Sequence, residues 1–534
     1  MQDGRRLKQE VGIPSFGDSL TSSIRRNVLR LLIESGLQIS PEALEYLLDQ
    51  DSPMEAVAII LKVEDHPQVL SRTYVESLVE GNVWDYRVEK NPEQDLVGSE
   101  GTVEDFLRLF RDRFNRIRRI YMNRIDTQNA VSPFTAKLRK ESARARKAMS
   151  KEGMRITART SQVVLGVVKE RNLSRSKNVI VELEHVENVN KGDRMEELYS
   201  TIICVVPATR EGFKGQQLAE KANSLLLDEV VCISGFVDEQ ARMIADDVIF
   251  PDIPMARPAG RAKRDVYATF ISDTHCGSKE FLEDEFDSFI DWLNGRGVEE
   301  EDKHIVKNIR YLFIAGDMVD GISVYPSQRY DLRVTSIHDQ YALFASKIRK
   351  LPKHIKVFCI PGNHDAVRQA LPKPPISEEF AEPLYRLGER ITMLGDPSQV
   401  IVEGVNVLMT HGDSMDDLVT NIPGASYAKP AAPMKELLKK RHLVPLYGGK
   451  TELAPLPRDW MVIDTPPDVV HFGHAHHNAV DNYRGVQIIN SGTFQAQTDF
   501  MRKQGVVPTP GIITVLNLKT GQPDIRFFYE GIST

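Results

Sequence analysis

Five apolar runs in the second half of the chain each stop at a polar, ionisable cluster, and this repetition constrains the fold more than any other feature. The sharpest is Val357-Phe-Cys-Ile360, closed by Pro361-Gly362 and followed by Asn363, His364 and Asp365. A run of β-branched and aromatic residues closed by Pro-Gly reads as a strand delivered into a tight turn. The others follow the same plan. Val266 to Ile271 ends in Asp273-Thr-His275, Tyr311 to Ala315 in Gly316-Asp317-Met-Val-Asp320-Gly321, Val405 to Thr410 in His411-Gly412-Asp413, and Val469 to Phe472 in Gly473-His474-Ala-His476. Helical stretches lie between the runs, which predicts an α/β domain. Open α/β sheets bind ligands in the crevice outside the carboxyl ends of their strands. A site built from these termini is therefore expected there.

The residue types narrow the chemistry. The termini offer carboxylates, imidazoles and one amide, but no thiolate. The chain's four cysteines, Cys204, Cys232, Cys276 and Cys359, are far apart and form no CxxC pair, so neither a disulfide framework nor a closed structural zinc site is indicated. Mixed nitrogen and oxygen ligands with room for water suit Mn²⁺, Fe, Zn²⁺ or Ni²⁺ in a hydrolytic centre. Asp-x-His and His-x-His place two ligands on alternate positions of an extended backbone, so both converge only where the chain turns. The neighbouring glycines supply those turns.

With 534 residues the chain is too long for one core, and two to four domains are expected. Its composition, 41% hydrophobic and 27% charged, is that of a globular protein. No apolar run is long enough to span a bilayer, and the polar start Met1-Gln2-Asp3-Gly4 lacks a signal-peptide core, so a cytoplasmic protein is expected. A net charge of −7 excludes a nucleic-acid-binding surface over the whole molecule and leaves room for a local basic patch.

Upstream of the α/β region the organisation changes twice. Ile24, Val28, Leu31 and Leu32 share a helical face closed by Gly36, and Ser40-Pro41 and Ser52-Pro53 each set a cap before a proline at the first helical position. A helical module over residues 1–75 is predicted. Residues 82–100 turn polar, as a linker would, and Thr102-Val-Glu-Asp105 resembles a capping box opening a helix. That helix carries Phe106, Phe110, Phe114, Ile117 and Tyr121 on one stripe, with Arg108, Arg111, Arg113, Arg116, Arg118 and Arg119 around it. More positive charge follows at Lys137-Leu-Arg-Lys140 and Arg144-Ala-Arg-Lys147. Residues 76–154 are thus read as a linker and basic helix, either solvated or in contact with phosphate. Over 155–258, runs at 163–168, 179–183, 199–206, 229–237 and 243–250 predict a small β-barrel of oligonucleotide-binding (OB) type. Few aromatics interleave with these strands, which favours a structural or docking barrel over a single-strand binder. Pro251, Pro254 and Pro258 mark its exit, leaving 259–534 for the α/β domain.

Taken in order, D-x-H, G-D-x-V-D-G, G-N-H-D, a lone His-Gly after a strand, and G-H-x-H resemble the calcineurin-like metallophosphoesterase superfamily. The resemblance implies two divalent metal ions, Mn²⁺ ahead of Fe, Zn or Ni. One would be held by Asp273, His275, Asp317 and His476, and the other by Asp317, Asn363, His411 and His474, with Asp317 bridging. Such a pair lowers the pKa of a water and clamps a phosphate for in-line attack. His364 is left without a metal and is expected to protonate the departing alkoxide, with Asp320 orienting it.

A narrower resemblance covers most of the chain. Val324-Tyr-Pro-Ser-Gln328, Tyr330-Asp-Leu332, and Pro361-Gly-Asn-His-Asp-Ala-Val-Arg368 followed by Pro372-Lys-Pro374 are similar to the small (B) subunits of replicative DNA polymerases. Within them, retention of every metal ligand resembles the archaeal family-D branch. That resemblance implies a 3′→5′ proofreading exonuclease acting on DNA with a 3′ end, bound to a large catalytic polymerase subunit and associated with the nucleoid. Two alternatives are a scaffold subunit with a vestigial site, disfavoured by the complete ligand set, and a free-standing phosphodiesterase, disfavoured by the added domains. Gln522 to Tyr529 has the spacing of a sliding-clamp-binding peptide, but a terminal β-hairpin from Ile512 to Tyr529 is the preferred reading. His471 and His477 are expected outside the ligand set.

Overall fold

The protein's structure, a computed structural model, describes residues 16–50, 52–61, 63, 66–79, 84–93, 98–149, 161–191, 194–207 and 212–529. The polar start Met1–Gly4 and the expected boundary at 154–155 lie outside the described residues. Among those described, no helix is long and apolar enough to cross a membrane. Backbone contacts divide the chain into two compact units, one up to Trp84 together with Pro352–Lys356, the other comprising Asp85–Leu351 and Val357 onward.

Among the described residues, the first unit contains four helices, Phe16–Glu34, Pro41–Leu48, Pro53–Ile60 and Arg72–Val79. Val28, Leu32, Leu44, Leu47, Val57, Ile60 and Val75 form their shared core. Ser40 caps the second helix by accepting from the Ala43 amide at 3.2 Å, with Pro41 following it, whereas Ser52 stands before Pro53 without a side-chain cap bond. Gly36 takes the left-handed conformation that ends the first helix, φ 73°.

In the second unit the segment read as a linker holds a strand, Tyr86–Lys90, paired antiparallel with Ser398–Val402. Its polar composition hid this, because an edge strand with exposed side chains has little apolar alternation to show. The helix Val103–Met122 opens with the expected capping box, Thr102 and Asp105 exchanging side-chain to backbone bonds. Its arginines do not form one solvated basic face. Arg113 and Arg116 are buried, Arg113 Nε donating to Asp459 at 2.7 Å and Arg116 gripping Asp464. The aromatic stripe cannot fill the contact alone, so the long arginine stems pack inward and pair with carboxylates of the 459–464 loop. Phe106 and Phe110 meet the Tyr447 ring edge-on, at 5.5 and 5.2 Å.

The strands Gln162–Leu173, Val179–Lys191, Arg194–Val206, Val230–Val237 and Met243–Ile249 close into a barrel. Numbered within the barrel, the spatial order is 1-2-3-5-4, with the last strand returning to the first. A helix, Phe213–Asn223, connects the third strand to the fourth. Alternate residues fill the interior, among them Val164, Val181, Leu183, Ile202, Ile233 and Val248. The barrel is tied to the α/β part by a buried ion pair, Lys440 Nζ to Glu229 at 2.7 Å.

The α/β part has two six-stranded sheets. In one the order is Ile391–Met393, Lys356–Ile360, Ile309–Ala315, Tyr267–Ile271, Ile512–Asn517, Pro523–Phe527. In the other it is Ala479–Tyr483, Val486–Asn490, Val469–Phe472, Val405–Met409, Ser398–Val402, Tyr86–Lys90. The central pairs are parallel, Ile309–Ala315 with Tyr267–Ile271 and Val405–Met409 with Val469–Phe472. Parallel strands are covered on both faces, which explains their continuous apolar runs. Phe270 of the first sheet meets His471 of the second edge-on at 5.0 Å, so the sheets face one another. All four cysteines are buried and free. Ile512–Asn517 and Pro523–Phe527 form the expected terminal hairpin, with Ile525 opposite Thr514.

Candidate metal centre

Each polar cluster sits where a strand of one of the two sheets ends. Asp273 and His275 follow Tyr267–Ile271, Asp317 follows Ile309–Ala315, and Asn363 and His364 follow Lys356–Ile360. The second sheet contributes His411 after Val405–Met409, and His474 and His476 after Val469–Phe472. Two sheets with their carboxyl ends on the same side thus bring together residues up to 203 positions apart, Asp273 and His476.

The turns that do this are strained. Asp273, His275, Asp317, His474 and His476 all have left-handed φ, between 48° and 65°. Non-glycine residues persist in that region only where the surroundings over-determine them. The alternation of an extended chain would send Asp273 and His275 the same way but too far apart, and the left-handed turns fold each pair back on itself. Glycine provides the remaining clearance. A Cβ on Gly362 would lie 2.0 Å from Asp317 Oδ1, and one on Gly473 would lie 2.5 Å from Asp273 Oδ2.

The donors form two adjoining groups with Asp317 between them. In the first, His476 Nε2 is 3.1 Å from His275 Nε2 and 3.3 Å from Asp273 Oδ1. In the second, Asn363 Oδ1 is 2.9 Å from His411 Nε2 and 3.2 Å from His474 Nδ1. Asp317 Oδ2 lies 3.7 Å from His275 Nε2 and 3.3 Å from His411 Nε2, so one oxygen faces both groups. All seven expected ligand residues are therefore gathered.

The far nitrogens define how each ring is held. His411 Nδ1 donates to the Ala315 carbonyl at 2.7 Å, and His275 Nδ1 donates to Asp320 Oδ1 at 3.0 Å. Each bond leaves Nε2 as the lone-pair atom turned to the centre. His474 is reversed, with Nε2 on Asp416 Oδ1 at 3.0 Å and Nδ1 inward. Asp416 was not marked by the sequence, where nothing distinguishes it from Asp413 or Asp417. Nor was Gln495, whose Nε2 donates to Asp320 Oδ1 at 3.0 Å.

Asp320 does not meet His364 with its carboxylate. His364 Nδ1 donates to the main-chain oxygen of Asp320 at 2.7 Å, while the side chain is engaged by His275, Gln495 and Gln328. His364 lies beside the donor groups, its ring 4.6 Å from His275 and its amide donating to Asp317 Oδ1 at 2.8 Å. Asp365 turns inward, accepting from the Gly362 amide and the Tyr341 hydroxyl, and shapes the loop. His471 is buried against Ser491, 2.7 Å away, and His477 Nδ1 faces the Ala475 carbonyl, so neither joins the cluster.

The electrostatics demand positive charge. Burial works against ionisation of Asp317, yet the imidazoles of His411, His364 and His275 hold its carboxyl well below the usual range. Burial likewise opposes charge on His411, yet Asp317 and Asp273 push it up to about 10. Buried carboxylates facing converging imidazole nitrogens suit a cation, which replaces protons as the compensating charge. His476 Nδ1 has no hydrogen-bond partner among the described residues, and its Nε2 faces a second imidazole nitrogen, an arrangement that a shared Lewis acid satisfies. The donor set fits divalent metal.

The chain is similar to several known proteins. The profile of the family described as the B subunit of DNA polymerase alpha/epsilon matches residues 269–480. The DNA polymerase II small subunit of Archaeoglobus fulgidus is 38% identical over 440 residues, covering 82% of this chain and 80% of that one. That of Pyrococcus furiosus is 36% identical over 430 residues, covering 80% of this chain and 64% of that one. A solved structure described as a novel archaeal phosphodiesterase is 14% identical, with a TM-score of 0.26, and covers 49% of this chain and 99% of that one.

Proposed function

Because the chain belongs to the family of archaeal DNA polymerase II small subunits, we propose that it is the 3′→5′ exonuclease of such a polymerase, joined to a large catalytic subunit. The observation that carries this reading is Asp317 Oδ2 facing His275 Nε2 at 3.7 Å and His411 Nε2 at 3.3 Å, at the junction of two complete donor groups. A scaffold subunit has no need to maintain five strained ligand turns.

Asp273, His275, Asp317 and His476 would hold one divalent cation, and Asp317, Asn363, His411 and His474 the other, Mn²⁺ being favoured by the nitrogen and oxygen donors. When bound, such a pair lowers the pKa of water and clamps a phosphodiester. The chain's own residues supply the rest. Asp416, Asp320 and the Ala315 carbonyl fix the orientation of three ligand rings. His364 keeps its Nδ1 proton on the Asp320 carbonyl, and in its imidazolium form it would carry a second proton at Nε2, the one given to the departing 3′ oxygen.

The flanking architecture is read in the same terms. The 1-2-3-5-4 barrel with its helix between the third and fourth strands supports an OB-type barrel over 155–258. In chain order it would follow a helical module at 1–75 and a connecting segment at 76–154, and precede the phosphoesterase domain at 259–534. Burial of Arg113 and Arg116 in pairs with Asp459 and Asp464 supports a bracing role for the connecting helix.

The test is a 5′-labelled single-stranded oligonucleotide incubated with purified protein and Mn²⁺, compared with Asp317→Asn. A ladder shortening from the 3′ end is expected, and the variant should lose nearly all of that activity, because Asp317 would be the residue that serves both cations. Hydrolysis from the 5′ end, or wild-type activity in metal-reconstituted Asp317→Asn, overturns the reading.

A further inference from the structure

Beside the donor groups, the loop from Ile322 to Tyr330 and the helix Asp499–Gln504 set two aromatic rings against each other outside any core. Tyr325 and Phe500 are stacked, centroids 5.8 Å apart and planes 24° apart, and Phe500 is 55% exposed. The Tyr325 ring also stands 6.4 Å from the His364 ring. The stack therefore begins next to the proposed proton donor and ends in solvent.

The loop carrying Tyr325 is fixed rather than loosely attached. Gln328, 1% exposed, accepts from the Val324 amide at 2.8 Å and donates to Asp320, to its carbonyl at 2.7 Å and its carboxylate at 3.0 Å. Asp320 is the residue that receives His364 Nδ1 and orients His275. The Tyr325 hydroxyl donates to Asp331 at 3.0 Å, which sets the angle of the ring. Arg329 and Lys503 are exposed on the same two segments as the stacked rings.

We infer that the exposed face of the Tyr325–Phe500 stack is a platform for the base of the 3′-terminal nucleotide. The inference rests on the exonuclease reading and names the part of the substrate that the aromatic pair recognises. Every base has a π-face, so stacking holds a nucleotide without regard to sequence, as an enzyme removing any misincorporated residue requires. A paired terminal base is already stacked in its duplex, and leaving it is costly, less so for a mismatched or single-stranded end. The platform thus selects unpaired ends, and Gln328 links it to the residue that aligns His364.

The experiment compares wild type, Phe500→Ala and Phe500→Tyr on oligonucleotides ending in a normal or an abasic 3′ nucleotide. In wild type, KM for the abasic end should exceed that for the normal end by about 5- to 150-fold, the range for one stacked base. Phe500→Ala should bring that ratio close to one, and Phe500→Tyr should restore it. In parallel, an oligonucleotide with 3′-terminal 2-aminopurine is bound to metal-free protein, where stacking quenches its fluorescence. Quenching should be strong in wild type and Phe500→Tyr and lost in Phe500→Ala. Absence of hydrolysis by wild type would defeat the exonuclease reading alone, because the fluorescence still decides the platform. Retention of the wild-type quenching in Phe500→Ala overturns the platform, as does an abasic ratio that this substitution leaves unchanged.

Discussion

His364 Nδ1 lies 2.7 Å from the main-chain oxygen of Asp320, while the carboxylate of Asp320 lies 3.0 Å from His275 Nδ1. One residue therefore orients two imidazoles through different atoms, and the two roles separate by mutation.

Replacing His364 by Ala removes the proposed proton donor and none of the seven donor residues. Hydrolysis of DNA should fall about 10²- to 10⁴-fold, the usual contribution of a positioned general acid. A nitrophenyl phosphodiester, whose leaving group hardly needs a proton, should lose much less. Parallel rates on the two substrates, with bound metal measured on the same sample, check this; equal losses or missing metal would make His364 structural or a ligand.

Asp320→Asn leaves the carbonyl that receives His364 in place and changes only the side chain that orients His275. The expected effect is a loss of metal affinity of about 10- to 100-fold, typical when the partner of a ligating imidazole is removed, with activity recovering as Mn²⁺ is raised. A metal titration of the rate separates this from His364→Ala, which added metal should not rescue.

Arg113→Ala breaks a buried pair with Asp459 and leaves that carboxylate without its guanidinium. A loss of about 3 to 5 kcal/mol of stability is expected, against a small change for the exposed Arg108→Ala. Denaturant unfolding of both variants measures it. An Arg113→Ala protein with wild-type stability but weakened DNA binding would restore the basic-face reading of this helix.

Acid should weaken the same region. His442 Nδ1 accepts from the Val444 amide at 3.1 Å and its Nε2 donates to Asp459 at 2.9 Å, so the ring is held neutral. Burial, aided by Arg113, lowers its pKa to about 4 from an ordinary value of 6.5. Between those values the unfolded chain binds the proton and the folded one does not. This contribution is thus complete above pH 6.5 and is lost as pH falls toward 4, on the order of 3 kcal/mol in all. Melting temperatures in a chelating buffer should fall less steeply over that window in His442→Gln than in wild type.

Local sequence determined a great deal here. Each strand and the cluster that ends it lie within about ten residues, so apolar periodicity, the Pro-Gly and glycine turns and the donor types were all legible without knowing what packs where. The capping box at Thr102, the five barrel strands and the terminal hairpin were readable for the same reason. Tertiary structure decided which atoms of those residues are used. The left-handed turn at each of five donor residues, the oxygen of Asp317 that faces both groups and the use of Asp320's carbonyl depend on two sheets meeting at one end. Asp416 becomes the partner of His474 only because its helix packs against a strand end 58 residues away. Arg113 and Arg116 looked like surface charge because a helical stripe reports only its own amphipathicity. Their carboxylate partners lie 346 and 348 residues further along the chain. Charge and spacing are local properties, whereas burial depends on the rest of the chain.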